Sequence, residues 1–158
     1  MQKEYELLDF SPEFAEAFKE LNLEWIEEYF EPEDVDLKML SNPQKIFIDS
    51  GGAIILAKVG EGVVGCCGLL KRNHTTFEIS KMAVTPTHQG FGLGKAMLHQ
   101  TLRIAKRLGA TRLEIISNTV LAPAIGLYKS VGFVETPLTS DTYGRGNISL
   151  RLDLLDSD

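Results

Sequence analysis

The sequence predicts an α/β protein of the α+β type, with helices flanking a mixed, mostly antiparallel sheet. Short β-like segments and amphipathic helical segments follow in the order β-α-α-β-β-β-α-β-α-β-β. The turn Gly60-Glu61-Gly62 joins two of the β segments and predicts an antiparallel hairpin. A helical segment separates the β segment ending at Val84 from the one beginning at Thr111, so those two strands should be parallel. About seven strands and four helices are expected.

The first half of the chain predicts one strand, two helices and then three strands. A brief apolar alternation at residues 5–8 indicates the first strand. Ser11-Pro12 is typical of a helix start, because serine caps helices and proline fits the first turn. Helical spacing continues to about Tyr29 or Phe30, and Pro32 stops it. A short helix is expected at residues 33–40, and strands are expected at residues 53–59, 63–70 and 76–84.

The second half predicts helices and strands in alternation. A helix should run from Leu93 to Leu108 and end at Gly109, because glycine is favoured just beyond helix ends. A strand is expected at residues 111–117, a helix at residues 123–131, and a strand beginning at Phe133. The remaining expected segments are a polar loop at residues 139–146 and a last strand at residues 148–154.

A glycine-rich loop between a strand and a helix is the feature most indicative of function. Its sequence is Gln89-Gly90-Phe91-Gly92-Leu93-Gly94. Glycines leave backbone N–H groups unshielded, and the first N–H groups of a helix lack internal partners, so this loop suits a phosphate. The spacing does not fit a P-loop, in which Gly-Lys is followed by serine or threonine, because Ala96 stands there. It does not fit the dinucleotide fingerprint either, because the third glycine comes one residue early.

Two motifs resemble the GNAT superfamily of acetyl-CoA-dependent N-acetyltransferases. The first is the strand and loop over residues 77–97, which includes a Gln-x-x-Gly-x-Gly pattern. The second is the stretch at residues 124–133, similar to the family's Ala-x-x-Leu-Tyr-x-x-x-Gly-Phe pattern. The chain departs from the family at Leu121, where many members have asparagine. The resemblance implies a single GNAT domain over residues 1–158 that moves an acetyl group from acetyl-CoA to a primary amine.

The resemblance also implies which residues hold the donor. The loop amides would bind the pyrophosphate of coenzyme A, and the preceding strand would pair with the pantetheine arm and polarise the thioester carbonyl. Asn118 could reach the pantetheine arm or the reacting centre, or it could be a turn residue that caps the next helix. The implied donor-binding residues are Met82, Ala83, Val84, Gln89, Gly90, Gly92, Leu93, Gly94, Lys95 and Asn118.

Two residues are candidates for proton transfer. Tyr128 occupies the position where the family often has its general acid, and a phenol can donate a proton to a leaving thiolate. The alternative is a tyrosine that only packs in the core. Glu78 lies where histone-acetylating members carry a glutamate base, but it could equally be an outward strand carboxylate. Some branches of the family use other bases or only water.

The amine acceptor, a small molecule or a peptide, is not identified by the sequence. Trp25, Tyr29 and Phe30 lie together at the end of the first helix and are expected to wall the acceptor groove, with residues 139–146. Seven acidic residues between positions 24 and 36 form either a solvated helix face or a rim that attracts cations. A catalytically silent module that binds or senses acyl-CoA is the alternative function, and the donor could carry a longer acyl group.

Composition limits the remaining possibilities. The formal net charge of −6 argues against a nucleic-acid partner. Apolar runs are too short to span a membrane and no signal-peptide core follows Met1, so the cytoplasm is expected. Cys66 and Cys67 should point to opposite faces of a strand, and the histidines show no metal-ligand spacing, so no metal is expected. A monomer or a homodimer fits such a chain.

Overall fold

A computed structural model describes residues 4–138 and 144–154. The strands are β1 (Glu6–Asp9), β2 (Ala53–Val59), β3 (Gly62–Lys71), β4 (Thr76–Val84), β5 (Arg112–Ser117), β6 (Val134–Thr136) and β7 (Ile148–Asp153). The helices are α1 (Ala15–Tyr29), α2 (Asp34–Ser41), α3 (Leu93–Arg107) and α4 (Ala122–Val131). The loop predicted at residues 139–146 falls partly, at residues 139–143, outside the described residues.

The seven strands form one sheet in the order β1-β2-β3-β4-β5-β7-β6. Every neighbouring pair is antiparallel except β4 and β5, which are parallel because α3 connects them. The predicted fold class and element order are confirmed. The predicted C-terminal ends of α3 and α4 are confirmed as well, because Gly109 and Gly132 adopt the positive φ that is typical just beyond a helix.

The sequence does not predict the helical turn that follows α2. Residues Gln44–Ile48 form a π-helical turn directly after Pro43, which has helical dihedrals. Within this turn Phe47 is fully buried and its ring meets Phe18 of α1 edge to face. A five-residue turn is too short to show helical periodicity, so its conformation depends on this packing rather than on a sequence pattern.

The sheet separates two hydrophobic cores. One lies beneath α3 and α4, and the other lies beneath α1, α2 and the turn at Gln44–Ile48. Cys66 packs in the α1–α2 core and Cys67 packs in the α3–α4 core, as the strand alternation predicted. No helix among the described residues is long and apolar enough to cross a membrane.

Two irregularities of β4 open the sheet at its centre. First, β4 pairs with β5 only at residues Thr76 to Glu78, so the later part of β4 diverges from β5. Second, Cys66 pairs with Ala83 while Gly68 pairs with Ser80, so β4 contains one extra residue and forms a β-bulge. Lys81 lies in this bulge with a φ of 60°. The gap between β4 and β5 positions the candidate site.

Candidate functional site

A cavity of about 570 Å³ fills the gap between β4 and β5. Its floor comes from residues 79–84 of β4 and from the end of β5. The glycine-rich loop and α4 form one end, and the C-terminal part of α1 with Arg145 forms the other. We call these the loop end and the helix end. A volume of this size is typical of a ligand site.

The loop end presents the exposed N-terminus of α3. Gly92 is the residue before this helix, and no described side chain caps it. Gly90 and Gly92 have φ angles of 85° and 83°, and a Cβ added to either would meet open space. Their positive φ, rather than crowding, requires glycine here. The side-chain amide of Gln89 donates to the Val84 carbonyl oxygen at 2.8 Å, which joins the loop to the end of β4.

The first turn of α3 therefore leaves its N–H groups available to a ligand. Ala96 is the first residue of this helix whose N–H bonds back, to the Gly92 carbonyl at 3.0 Å. The amides of Leu93, Gly94 and Lys95 precede it, and all three residues line the cavity. A helix N-terminus with free amides and a nearby lysine favours a phosphate or pyrophosphate.

Gly94 controls the space between the loop and the cavity floor. An added Cβ would lie 3.3 Å from the Leu127 side chain and 3.4 Å from the Met82 side chain. Both neighbours are flexible, so a methyl group fits with small shifts. A longer side chain at this position would extend among residues that line the cavity.

Tyr128 of α4 borders the cavity from the α3–α4 core. Its side chain is 7% exposed, and its ring lies 6.1 Å from that of Phe133. Burial raises the pKa of the phenol, and the neighbouring Cys67 adds to the increase. Tyr128 therefore keeps its proton at neutral pH, and it is one of the residues that line the cavity.

Three aromatic side chains and one arginine form the helix end. Trp25, Tyr29 and Phe30 line the cavity there, together with Arg145. The guanidinium carbon of Arg145 lies 5.7 Å from the Trp25 ring and 5.5 Å from the Phe30 ring. Both distances fit cation–π contacts, so Arg145 fixes the positions of the two rings.

A buried carboxylate, Asp36, anchors this end of the cavity. Its Oδ1 accepts from Lys81 Nζ at 2.6 Å and from Arg145 Nη2 at 2.8 Å. Its Oδ2 accepts from Arg145 Nη1 at 2.6 Å and from the Glu33 amide at 2.8 Å. Burial raises the pKa of the Asp36 carboxyl, but the hydrogen bonds from Arg145 and Lys81 and the Lys81 charge outweigh it and lower the pKa to about 2.

A second chain of hydrogen bonds connects Trp25 to the bulge. The indole Nε1 donates to Asn22 Oδ1 at 3.0 Å, and Asn22 Nδ2 donates to Cys66 Sγ at 3.3 Å. The Cys66 thiol in turn donates to the Lys81 carbonyl at 3.3 Å. Burial raises the pKa of the Cys66 thiol, and the charge of Cys67 adds to the increase, so it keeps the proton that this bond needs. Trp25 and Lys81 are thus linked by two routes, one through Asn22 and one through Asp36 and Arg145.

The cavity brings together all the predicted site residues except one. Glu78 is not among its lining residues. Instead, its Oε1 accepts from Arg72 Nε at 2.8 Å, and burial raises the pKa of its carboxyl while the Arg72 charge opposes the increase. The predicted residues that line the cavity are Trp25, Tyr29, Phe30, Met82, Ala83, Val84, Gln89, Gly90, Gly92, Leu93, Gly94, Lys95, Asn118 and Tyr128.

Asn118 lies in a turn, as one of its two predicted alternatives has it, but it does not cap α4, whose N-cap residue is Leu121; it also borders the cavity. Its Oδ1 accepts from the Val120 amide at 2.9 Å, and its Nδ2 donates to the Arg145 carbonyl at 2.6 Å. It therefore holds the segment that carries Arg145 against the end of β5.

Comparison with known proteins agrees with this geometry. The model of the acetyltransferase (GNAT) family matches residues 14–133, most of the chain. This chain belongs to the GNAT family. N-acetyltransferase YvbK of Bacillus subtilis, itself uncharacterised, is 32% identical over 113 residues, which cover 70% of this chain and 73% of YvbK. N-acetyltransferase 8B of Rattus norvegicus is 30% identical over 56% of this chain, but the match spans only 42% of the rat protein.

Solved structures of GNAT proteins share the fold. An acetyltransferase of the GNAT family from Staphylococcus aureus Mu50 superposes with a TM-score of 0.88 and 19% identity, covering 96% of this chain and 100% of that one. The protein yncA of Salmonella typhimurium, solved with its cofactor acetyl-CoA, gives a TM-score of 0.72 with 20% identity, covering 99% and 97% of the two chains. At these identities the likeness supports the fold alone.

Three polar residues at the helix end of this GNAT cavity were not predicted as site residues. The sequence predicts Lys81 within a regular strand, Asp36 within the acidic run and Arg145 within a polar loop. The signal in the sequence is a break in the alternation of β4 at Ser80-Lys81, where Lys81 takes a position that the pattern of Phe77 and Ile79 reserves for an apolar residue. A buried lysine is rare unless it is paired.

Proposed function

We propose that the chain transfers an acetyl group from acetyl-CoA to a primary amine by direct attack within a ternary complex, and that residues 1–158 act as one domain. The observation that carries this proposal is the uncapped N-terminus of α3, which opens into the same cavity as the buried phenol of Tyr128. The GNAT family match supports the reaction class.

The donor is proposed to bind along the loop end. The pyrophosphate of coenzyme A meets the amides at the start of α3 and the ammonium of Lys95, where the positive end of the helix dipole favours it. The fit is supported by Gly90 and Gly92, because nothing lies within 4 Å of a Cβ at either position. The pantetheine arm follows Met82 to Val84, where β4 has left its neighbour β5.

Chemistry is proposed to take place beside the bulge of β4. The amine nitrogen attacks the thioester carbonyl carbon, backbone N–H groups near Met82 to Val84 stabilise the carbonyl oxygen, and the carbon–sulfur bond breaks. Tyr128 donates its proton to the departing thiolate as general acid. We place no side chain as the base, because Glu78 lies outside the cavity lining and pairs with Arg72. Water in the cavity can accept the amine proton.

Two measurements test this function. Isothermal titration with acetyl-CoA, ATP and NAD should show binding of acetyl-CoA alone, since the loop fits neither nucleotide motif. Release of free coenzyme A over a panel of amines should then show turnover. Binding of acetyl-CoA without turnover by any amine would favour a silent acyl-CoA-binding module, and no binding would overturn both functions.

A further inference from the structure

At the helix end of the cavity, the positively charged side chains line the cavity and their negatively charged partners lie behind them. Four charged side chains meet there: Glu33, Asp36, Lys81 and Arg145. Lys81 and Arg145 line the cavity, whereas neither carboxylate does. The group is neutral as a whole, yet a ligand in the cavity meets its positive members first. Such an arrangement repels a second positive charge on a ligand.

The exposed acidic residues in and just after α1 do not offset this arrangement. Glu24, Glu27, Glu28 and Glu31 are exposed, and none of them lines the cavity. Charges on an exposed surface are screened by water and salt, so they contribute little inside the cavity. Along the described part of the chain, the cavity wall has no carboxylate at all.

The rest of the helix end is mainly aromatic and apolar, formed by Trp25, Tyr29, Phe30 and Ile116. Trp25 and Phe30 are held in place by Arg145, and Trp25 is held further by its hydrogen bond to Asn22. Ile116 of β5 completes this surface from the floor. A rigid aromatic wall gains most from an apolar body that it can cover, because burial removes apolar surface from water.

We infer that the acceptor is a primary amine on an apolar or aromatic body with no second cationic group, rather than a polyamine or a lysine-rich peptide. This inference rests on the proposed function, since it concerns the acceptor of the same reaction. It replaces the cation-attracting rim that the acidic run suggested.

A matched pair of amines tests the inference. Cadaverine equals hexylamine in length but carries a second ammonium in place of a terminal methyl group. We expect kcat/KM for hexylamine to exceed that for cadaverine at least about tenfold, as measured by release of free coenzyme A. An equal or higher kcat/KM for cadaverine would overturn the inference. If acetyl-CoA binds but neither amine is acetylated, the inference is also overturned, except where the binding measurement described next shows tighter binding of hexylamine.

Binding can be followed without chemistry, because Trp25 is the only tryptophan of the chain. Titration of either amine in the presence of coenzyme A should change the Trp25 emission at lower concentrations of hexylamine than of cadaverine. That result without any turnover would retain the inference and reject the proposed transfer reaction. Unchanged emission with both amines, and no turnover, would overturn the inference.

Charge variants provide a second test. Arg145→Gln removes the cation that pairs with both Glu33 and Asp36, so the preference for hexylamine over cadaverine should narrow about tenfold. Arg103→Gln is the control, because Arg103 is exposed on α3, bonds to Gln100 and is not among the residues that line the cavity. Its preference should equal that of the wild type. An unchanged preference in Arg145→Gln, in a variant that circular dichroism shows to be folded, would overturn the inference.

Discussion

Replacing Asp36 by asparagine should destabilise the protein more than any surface charge change. Asp36 has no exposed side-chain surface and accepts four hydrogen bonds, three of them from Lys81 and Arg145. The amide keeps the shape but removes the charge, so two cations lose their buried counter-ion. Breaking a buried ion pair in this way typically costs about 3–5 kcal/mol. We expect the free energy of unfolding to fall by about that amount at pH 7.

The pH dependence of unfolding gives a second, independent value for the contribution of ionised Asp36 to the free energy of unfolding. The Asp36 pKa is about 2 in the folded protein and 3.8 when unperturbed, a difference worth about 2 kcal/mol. Since the folded pKa is the lower one, this stabilisation is complete above about pH 5 and is lost as the pH falls towards 2. About 1 kcal/mol of it should be gone at pH 3. The difference between wild type and Asp36→Asn should therefore shrink on acidification.

Urea unfolding followed by circular dichroism at pH 7 and pH 3 measures both effects. Glu135→Gln is the control, because it removes the carboxylate of an ion pair with Lys129 whose side chains are 48% and 55% exposed. An exposed pair of this kind contributes at most about 1 kcal/mol. If Asp36→Asn costs no more than the control, Asp36 does not anchor the site. If its cost stays constant between the two pH values, the lowered pKa is wrong.

Three further predictions concern the cavity. Gly92→Val places a side chain at a φ of 83°, and Gly94→Asp adds a carboxylate beside the α3 amides. Each variant should weaken acetyl-CoA binding at least about 100-fold in titration calorimetry. An affinity within a few-fold of the wild type would reject the loop as the donor site. Tyr128→Phe should lower kcat about 10²–10⁴-fold where chemistry limits the rate, and change the Kd of acetyl-CoA by less than about tenfold; a normal kcat would remove the phenol from the mechanism. Cys66→Ala should shift the emission of the single tryptophan, because it breaks the hydrogen bonds that connect Asn22 to the bulge of β4. Cys67→Ala is the control, because it removes an equally buried thiol from the other face of the sheet and should leave the emission unchanged. Equal shifts in the two variants would show that these hydrogen bonds have no effect on the indole.

The local sequence pattern was sufficient to predict the strand, the turn and the helix that form the loop end of the site. The alternation of β4 and the helical spacing of α3 determine where the chain turns, and the glycines at that turn determine which backbone groups face the cavity. For the turn and its glycines the signal lies within one element or between elements joined by a short connection. Tyr128 is different, because its place near the donor is implied by the resemblance of residues 124–133 to the GNAT motif, and the structure puts it among the residues that line the cavity.

The charges of the acceptor end could not be predicted in the same way. Asp36 and Lys81 are 45 residues apart, and their contact depends on a bulge of β4. The alternation of β4 breaks at Ser80-Lys81, but this break does not show which distant residue Lys81 meets. Asp36 also differs from its acidic neighbours for a reason that composition does not show. It is the third residue of α2 in a capping box with Glu33, and this position turns its carboxylate toward the sheet while Glu27 and Glu28 remain in solvent.

The acidic run therefore has two opposite electrostatic effects, a negative charge on the outer surface and a positive charge at the cavity border. Its exposed members give the surface a negative charge, whereas Asp36 and Glu33 lie behind the cavity wall and hold Lys81 and Arg145 at its border. Counting acidic residues near an active site suggests a cationic acceptor, but the sign that a ligand meets depends on which member of each ion pair faces the cavity. In this chain the cations face it, and the acceptor is expected to bring no second positive charge.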